Sequence, residues 1–130
     1  WKSDLLTEFD PFETGLDRFV NLNKDNFIGK ADLEKRFKHG PNQKLVCLSI
    51  DCNHAPAHAG ASLMEDGKVI GTITSGEWGY RVNLNLAYAF VNPDKSKPGT
   101  KMMLDLLGEM IPVEVILQGP YDSSYSRILT

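Results

Sequence analysis

The apolar residues of this chain change period once, near Pro41, and that change limits what the chain can fold into. From Lys44 to Leu117, aliphatic and β-branched residues come in short runs separated by Gly, Asn and Pro. Runs of that length and composition form strands. The expected strands are residues 45–50, 61–64, 68–73, 86–91, 101–107 and 110–117. Asp66-Gly67 lies between the second and third, and this pair suits a type I′ hairpin turn, whose two central residues both need positive φ. Gly108 closes a second hairpin, and Pro112, which cannot donate to a ladder, is expected at an edge or a bulge. About six short strands with a turn signal roughly every ten residues favour a small closed antiparallel barrel, or a sandwich, over a helix-covered parallel sheet.

Before Pro41 the spacing is helical. Pro11 can open a helix at its first turn, and Phe12, Leu16, Phe19 and Val20 follow at about one-turn intervals. A second helix is expected over residues 30–38, with Leu33 and Phe37 on one stripe and Gly40 ending it. The architecture implied is mostly β, a six-stranded antiparallel barrel preceded by two short helices. Residues 1–43 form the helical lead-in and residues 44–130 the barrel.

Composition narrows the function classes. With 130 residues, 42% hydrophobic and 24% charged, one globular domain is expected. A formal net charge of -3 leaves no basic excess to neutralise phosphates, so no nucleic-acid partner is expected. No apolar run approaches the roughly 18 residues of a membrane span. The first ten residues are too charged for a leader. The two cysteines, Cys47 and Cys52, do not make a disulfide framework, so both read as free thiols and the cytoplasm, or a similarly reducing compartment, is the expected location. Trp1 is not an initiator methionine, and the chain is expected to be an excised piece of a longer one.

Few residues point to chemistry. Cys47, Asp51, Cys52, His54 and His58 crowd into a dozen positions, but their spacing matches no metal knuckle, and Cys47 sits in the apolar run LVCLSI. No metal site is expected, and residues 51–60 read as a polar surface loop. None of the three histidines lies beside a nucleophile elbow, and neither a P-loop nor a dinucleotide fingerprint occurs. In TSGEWGY, glycines alternate with Trp78 and Tyr80 at an expected strand end. The stretch either approaches a ligand closely or forms a bulge that turns a barrel corner and lays Trp78 over the core. In the tail GPYDSSYSR, Tyr121, Tyr125 and Arg127 could stack on a ring or hold a carboxylate, or the tail could be unattached.

The order of motifs resembles one family. The run DPFETGLDRFVNLNKDNFIGKADL is similar to a segment of glycine-cleavage T-protein relatives through Pro11, Glu13, Gly15, Leu16, Val20, Phe27, Ile28, Gly29 and Lys30. KLVCLSI, DGKVIGTITSG, LAYAFVNPD, PGTKMMLDLLGEMIPVEVI and GPYD then follow the C-terminal barrel of that family in order, so the likeness spans nearly the whole chain. TSGEWGY, AYAFV and PYDSSYSR look closest to the flavin-linked members that oxidise dimethylglycine or sarcosine. The resemblance implies a parent with an FAD module and a tetrahydrofolate module that receives a one-carbon unit, with residues 1–43 ending the folate-binding subdomain. It places Trp1, Thr74, Ser75, Gly76, Tyr125 and Arg127 at the border of the folate cavity and carries over no catalytic residue. The piece by itself is expected to bind no cofactor and to be inactive. Its partners would be the upstream subdomains of the same chain, with self-association possible through Phe12, Leu16 and Phe19. The alternatives are a plain aminomethyltransferase of the glycine cleavage system, or a structural or interaction domain. The loop 51–60 departs from the family pattern.

Overall fold

The computed structural model describes residues 3–127. Six strands, β1 (Lys44–Ile50), β2 (Ser62–Glu65), β3 (Lys68–Gly79), β4 (Leu84–Val91), β5 (Lys101–Leu106) and β6 (Glu109–Ile116), close into an antiparallel barrel in the order β1-β4-β3-β2-β5-β6. Strand alternation sends every second side chain inward. On β1 these are Val46, Leu48 and Ile50, and Leu48 stands opposite Ala87 of β4 and Val115 of β6. Leu63 of β2 faces Leu104 of β5, and Leu48, Leu63 and Leu104 are fully buried. Each such side chain contributes about 1.5–3 kcal/mol relative to leaving it in water.

The hairpin turns follow the sequence. Asp66 and Gly67 have φ of 48° and 73°, as a type I′ turn requires. Leu107 and Gly108 turn the same way, at 56° and 91°, and the Asp105 carboxylate accepts the Gly108 N–H at 2.8 Å. Pro112 pairs with Met103 across the β5–β6 ladder, and its carbonyl accepts the Asp51 N–H at 3.0 Å. A strand residue points its N and C=O to the same side, so the donor Pro112 lacks would face the place where β1 has ended.

Three expectations need correction. The first helix is a single turn. Asp10 Oδ1 accepts the N–H groups of Phe12 and Glu13, at 2.8 and 2.9 Å, while Glu13 Oε2 accepts the Asp10 N–H at 3.1 Å, a capping box that starts a helix in earnest. Gly15, at φ 73°, stops it at once, and the Leu16 N–H reaches back to the Pro11 carbonyl at 2.9 Å in the helix-ending pattern that a left-handed glycine permits. Only a 3-10 helix, Asp17–Phe19, follows. The second helix, α1 (Lys30–His39), forms as expected, and the Gly40 N–H closes it on the Arg36 carbonyl.

The second correction concerns TSGEWGY. β3 does not end at residue 73 but runs to Gly79, with its register shifted between Ile73 and Ser75. Thr74, Ser75 and Gly76 therefore form a bulged stretch of strand, the bulge being one of the two readings of TSGEWGY. The third concerns residues 51–60. Their polar side chains are exposed, but Ala57 is buried in the barrel core, and the Asn85 amide donates to the carbonyls of Cys52 and Ala55 at 2.9 and 2.7 Å. The loop is thus pinned against the core. A Cβ on Gly76 would lie 2.4 Å from the Ala57 carbonyl oxygen, so only glycine lets the loop sit this close.

The lead-in lies across the outside of β1, β4 and β3. The Phe9 and Phe90 ring centroids are 4.3 Å apart, and the Leu45 N–H donates to the Glu13 carbonyl at 2.7 Å.

Candidate functional site

The outer face of β1, β4 and β3 brings together several polar and aromatic groups that could meet a ligand. Ser75 stands opposite Tyr88, and Tyr88 opposite Cys47. The chain neighbours of these residues, such as Ala87, Ala89, Val46 and Leu48, belong to the core, so the three side chains themselves point outward. The bulge adds Thr74 to the same side, because an extra residue in a strand lets two consecutive side chains share a face. Thr74 Oγ1 and Ser75 Oγ both donate to Asp4 Oδ1, at 2.6 and 2.8 Å.

These contacts set the ionisation of the face. Burial alone would raise the Asp4 carboxyl, but the Thr74 and Ser75 hydroxyls are the largest of the opposing influences, and the net result lies below the ordinary value of 3.8. Tyr88 is raised, first by burial and then by the negative charges that Cys47, Asp4 and Tyr125 can carry. The Cys47 thiol is also raised by burial, so it stays protonated and unreactive at neutral pH. Asp4 is thus an acceptor and Tyr88 a donor. Beside them runs a groove of about 320 Å³, bordered by Cys47, Ser75, Leu86, Tyr88, Gly119 and Pro120 among others.

The tail borders this groove through Gly119 and Pro120. Asp122 ties it into a compact loop, its carboxylate accepting the Ser126 N–H and hydroxyl and the Arg127 N–H, each at 3.0 Å. These bonds, led by the one from Arg127, lower the Asp122 carboxyl. Arg127 donates to the Tyr121 hydroxyl at 2.8 Å, and Arg81, from the β3–β4 connection, donates to the same oxygen at 3.2 Å. Arg18 lies over the rings of Phe19 and Tyr125, at 4.8 and 5.7 Å from their centroids.

Of the residues singled out from the sequence, Thr74, Ser75 and Tyr125 come to this face. Gly76 contributes backbone to the groove while its Cβ direction is taken up by Ala57. Arg127 sits on Tyr121, whose chain neighbour Pro120 lines the groove, and Trp1 lies outside the described residues. Three residues went unnoticed: Asp4, Tyr88 and Arg81. Alternation in LAYAFV, with small residues on either side of Tyr88, was the available signal for one of them. The Cys-His cluster is dispersed. Cys47 is buried in the outer wall, whereas Cys52 Sγ lies 3.4 Å from His54 Nδ1. Among the described residues no three His, Cys, Asp or Glu side chains are grouped to hold a metal ion, and no helix is long and apolar enough to cross a membrane.

Comparison with known proteins agrees with the barrel fold. Human mitochondrial dimethylglycine dehydrogenase is 36% identical over 121 residues, which are 92% of this chain and 14% of that protein. The aminomethyltransferase of Prochlorococcus marinus is 39% identical over 127 residues, 97% of this chain and 33% of that protein. The crystal structure of glycine cleavage system aminomethyltransferase T from Bartonella henselae superposes with a TM-score of 0.84 at 25% identity, covering 94% of this chain and 34% of that one. The chain therefore spans 14% to 34% of these relatives. Residues 43–122, which hold all six strands, match the glycine cleavage T-protein C-terminal barrel domain, and the chain belongs to that family.

Proposed function

We propose that this chain is one wall of a tetrahydrofolate-dependent one-carbon-transfer site in a larger, dimethylglycine dehydrogenase-like oxidoreductase, and that it is not catalytic by itself. The observation that carries this reading is the paired Thr74 and Ser75 hydroxyls holding Asp4 ionised beside the Tyr88 groove, on the face where the lead-in arrives. A groove of about 320 Å³ is at the low end of the roughly 300–1,000 Å³ of small-molecule pockets, room for part of a folate rather than all of it. That is what a wall requires. The upstream subdomains would supply the rest of the cavity, and residues 1–43 would end the folate-binding one. Tetrahydrofolate, when bound, supplies the amine that accepts the one-carbon unit. The residues of this chain orient it: Asp4 accepts from ligand N–H groups, Tyr88 donates, and the barrel excludes water behind them.

An upstream FAD module that oxidises the methylated amine belongs to the same proposal, and sarcosine is included with dimethylglycine as donor. The second reading, an aminomethyltransferase of the glycine cleavage type, is favoured by the 39% identity to the Prochlorococcus protein. The free thiols Cys47 and Cys52 support a reducing compartment such as the cytoplasm. Phe19, Ile28 and Phe37 are exposed on the lead-in, which supports either packing on the upstream subdomains or self-association of the chain alone. Light scattering across concentration distinguishes these, since a strict monomer excludes the second.

Calorimetric titration with tetrahydrofolate tests the main reading, using this chain and a longer protein that includes the upstream subdomains. Binding is expected only in the longer protein, weakened there by Thr74→Val together with Ser75→Ala. Equal binding by both proteins overturns the wall, and unchanged affinity in the double variant removes this face from the site.

A further inference from the structure

The contacts that hold the lead-in run to β1, β4 and β3, and in the closed order β2, β5 and β6 form the other side of the barrel. A strand wall that faces water alternates apolar inside with polar outside. This side breaks that rule. Leu63, Met102, Leu104, Ile111 and Val113 belong to the core, so their chain neighbours Met64, Met103 and Pro112 point outward. Met64 stands opposite Met103, and Met103 opposite Pro112, so one row of apolar side chains crosses three strands. The Pro112 carbonyl, which accepts the Asp51 N–H, carries the row to the end of β1. The row floors a groove of about 630 Å³, larger than the groove of about 320 Å³ beside Tyr88.

Both ends of the groove are acidic. Glu65 and Asp66 line it beside β2, and Asp51 and Glu114 line it beside β1, while Lys101 is the one base lining it among the described residues. Glu65 is paired with Lys95, but Asp51, Asp66 and Glu114 form no ion pair among the described residues. Three inter-strand steps of about 4.8 Å separate β2 from β1, which puts the acidic ends roughly 14 Å apart. The strands here are paired on both sides, so an incoming segment cannot add itself as a strand and has to be read by its side chains. A helix suits that requirement: at about 1.5 Å per residue, basic residues roughly nine positions apart reach both ends. Methionine is unbranched and adapts to differently shaped apolar faces. We propose that this groove docks a basic amphipathic helix of a partner protein, its apolar face on Met64, Met103 and Pro112 and its basic residues at Asp66 and at Asp51 and Glu114. The α1 helix of a second copy is a poor occupant, because Lys30, Lys35 and Arg36 are already paired with Glu34, Asp32 and Asp10.

The test follows the methionine methyl signals by NMR, in this chain and in the longer protein that includes the upstream subdomains. The probes are synthetic peptides of about 18 residues, long enough to hold a helix. One has a leucine face flanked by lysines, one has the same residues shuffled so that the face is lost, and one has glutamate in place of lysine. The first is expected to shift Met64 and Met103 saturably, and to shift Met110, which is exposed opposite Asp105 in the next outward row, much less. The other two peptides should bind about tenfold more weakly. Asp51→Asn together with Glu114→Gln should weaken the lysine peptide about fivefold, and Met103→Ser about tenfold. The signal of Met102, buried in the core, shows in each variant whether the barrel is folded. Absence of shifts at Met64 and Met103 overturns the proposal, as does equal binding of the shuffled or the glutamate peptide, a Met110 shift as large as that of Met103, or unchanged affinity in the folded variants. Shifts that grow with protein concentration alone replace the partner by a second copy. Binding to this chain that is lost in the longer protein assigns the groove to the upstream subdomains, and that too overturns a separate partner.

Discussion

The barrel buries leucine, isoleucine and valine, whereas the lead-in, residues 3–43, buries only Glu13 and Thr14 among its described residues. The same chain therefore holds its two regions together by different physics. In the barrel, side chains from six strands fill one interior, and its stability comes from apolar surface removed from water. The lead-in keeps its shape through local polar bonds: the Asp10–Glu13 capping box, the Thr14 hydroxyl on the Asp10 carbonyl, and the Arg36–Asp10 ion pair at 3.2 Å. Two of its aromatics stay largely in water, Phe19 72% and Phe37 63% exposed. A region built this way takes its conformation from local sequence and its position from a few contacts, such as Phe9 on Phe90 and Asp4 on Thr74 and Ser75.

The widest gap between the regions should appear on truncating a large apolar side chain in each. Leu104→Ala is expected to cost about 2–5 kcal/mol, because it empties a fully buried site, while Phe37→Ala on α1 should cost less than about 1 kcal/mol. Urea denaturation of both variants measures the contrast. Similar losses would mean that the helix is part of the cooperative core.

A second variant tests how the loop 51–60 belongs to the barrel. Gly76→Ala places a methyl 2.4 Å from the Ala57 carbonyl oxygen and should cost about 1–3 kcal/mol, with faster amide exchange confined to residues 51–60 and β3. Undiminished stability with unchanged exchange would show that the loop rests only loosely on the core.

The smallest effect concerns the polar seam between the two regions. Asp4 is lowered below 3.8 when folded, so its bonds to Thr74 and Ser75 contribute stability above the ordinary carboxylate range and lose it as pH falls through the lowered value. Stability measured between neutral and acidic pH should decline less steeply in Thr74→Val, and amide protection of the lead-in should fall before that of the barrel. Parallel pH profiles for the variant and the parent would remove Asp4 from the seam.

The two regions also differed in how far the sequence revealed them. All six strands were legible because Asp66-Gly67 and Gly108 mark turns whose φ values few residues tolerate, and because alternation fixes which side faces in. The helical spacing of Phe12, Leu16 and Phe19 pointed to a longer helix, yet Gly15 ends it after one turn, and a single left-handed glycine outweighs a periodic pattern. The alanines of the loop 51–60 hid its burial, since Ala57 among His, Asn and Pro gives almost no apolar signal. At the candidate site, Thr74 and Ser75 were found through their unusual neighbours. Asp4 and Arg81 were not, because their roles depend on residues 70 and 40 positions away in the chain.

Closure of the barrel has a consequence for how anything can attach to it. Each strand has a hydrogen-bonded neighbour on both sides, and the one long stretch beyond the reach of β2, near Gly76, is covered by Ala57. A partner therefore finds little free backbone to extend as an added strand, the route by which open sheets recruit peptides and by which exposed edges aggregate. Recognition has to be carried by side chains projecting from the outer wall, and it can change by substitution there without disturbing the hydrogen-bonded cylinder beneath.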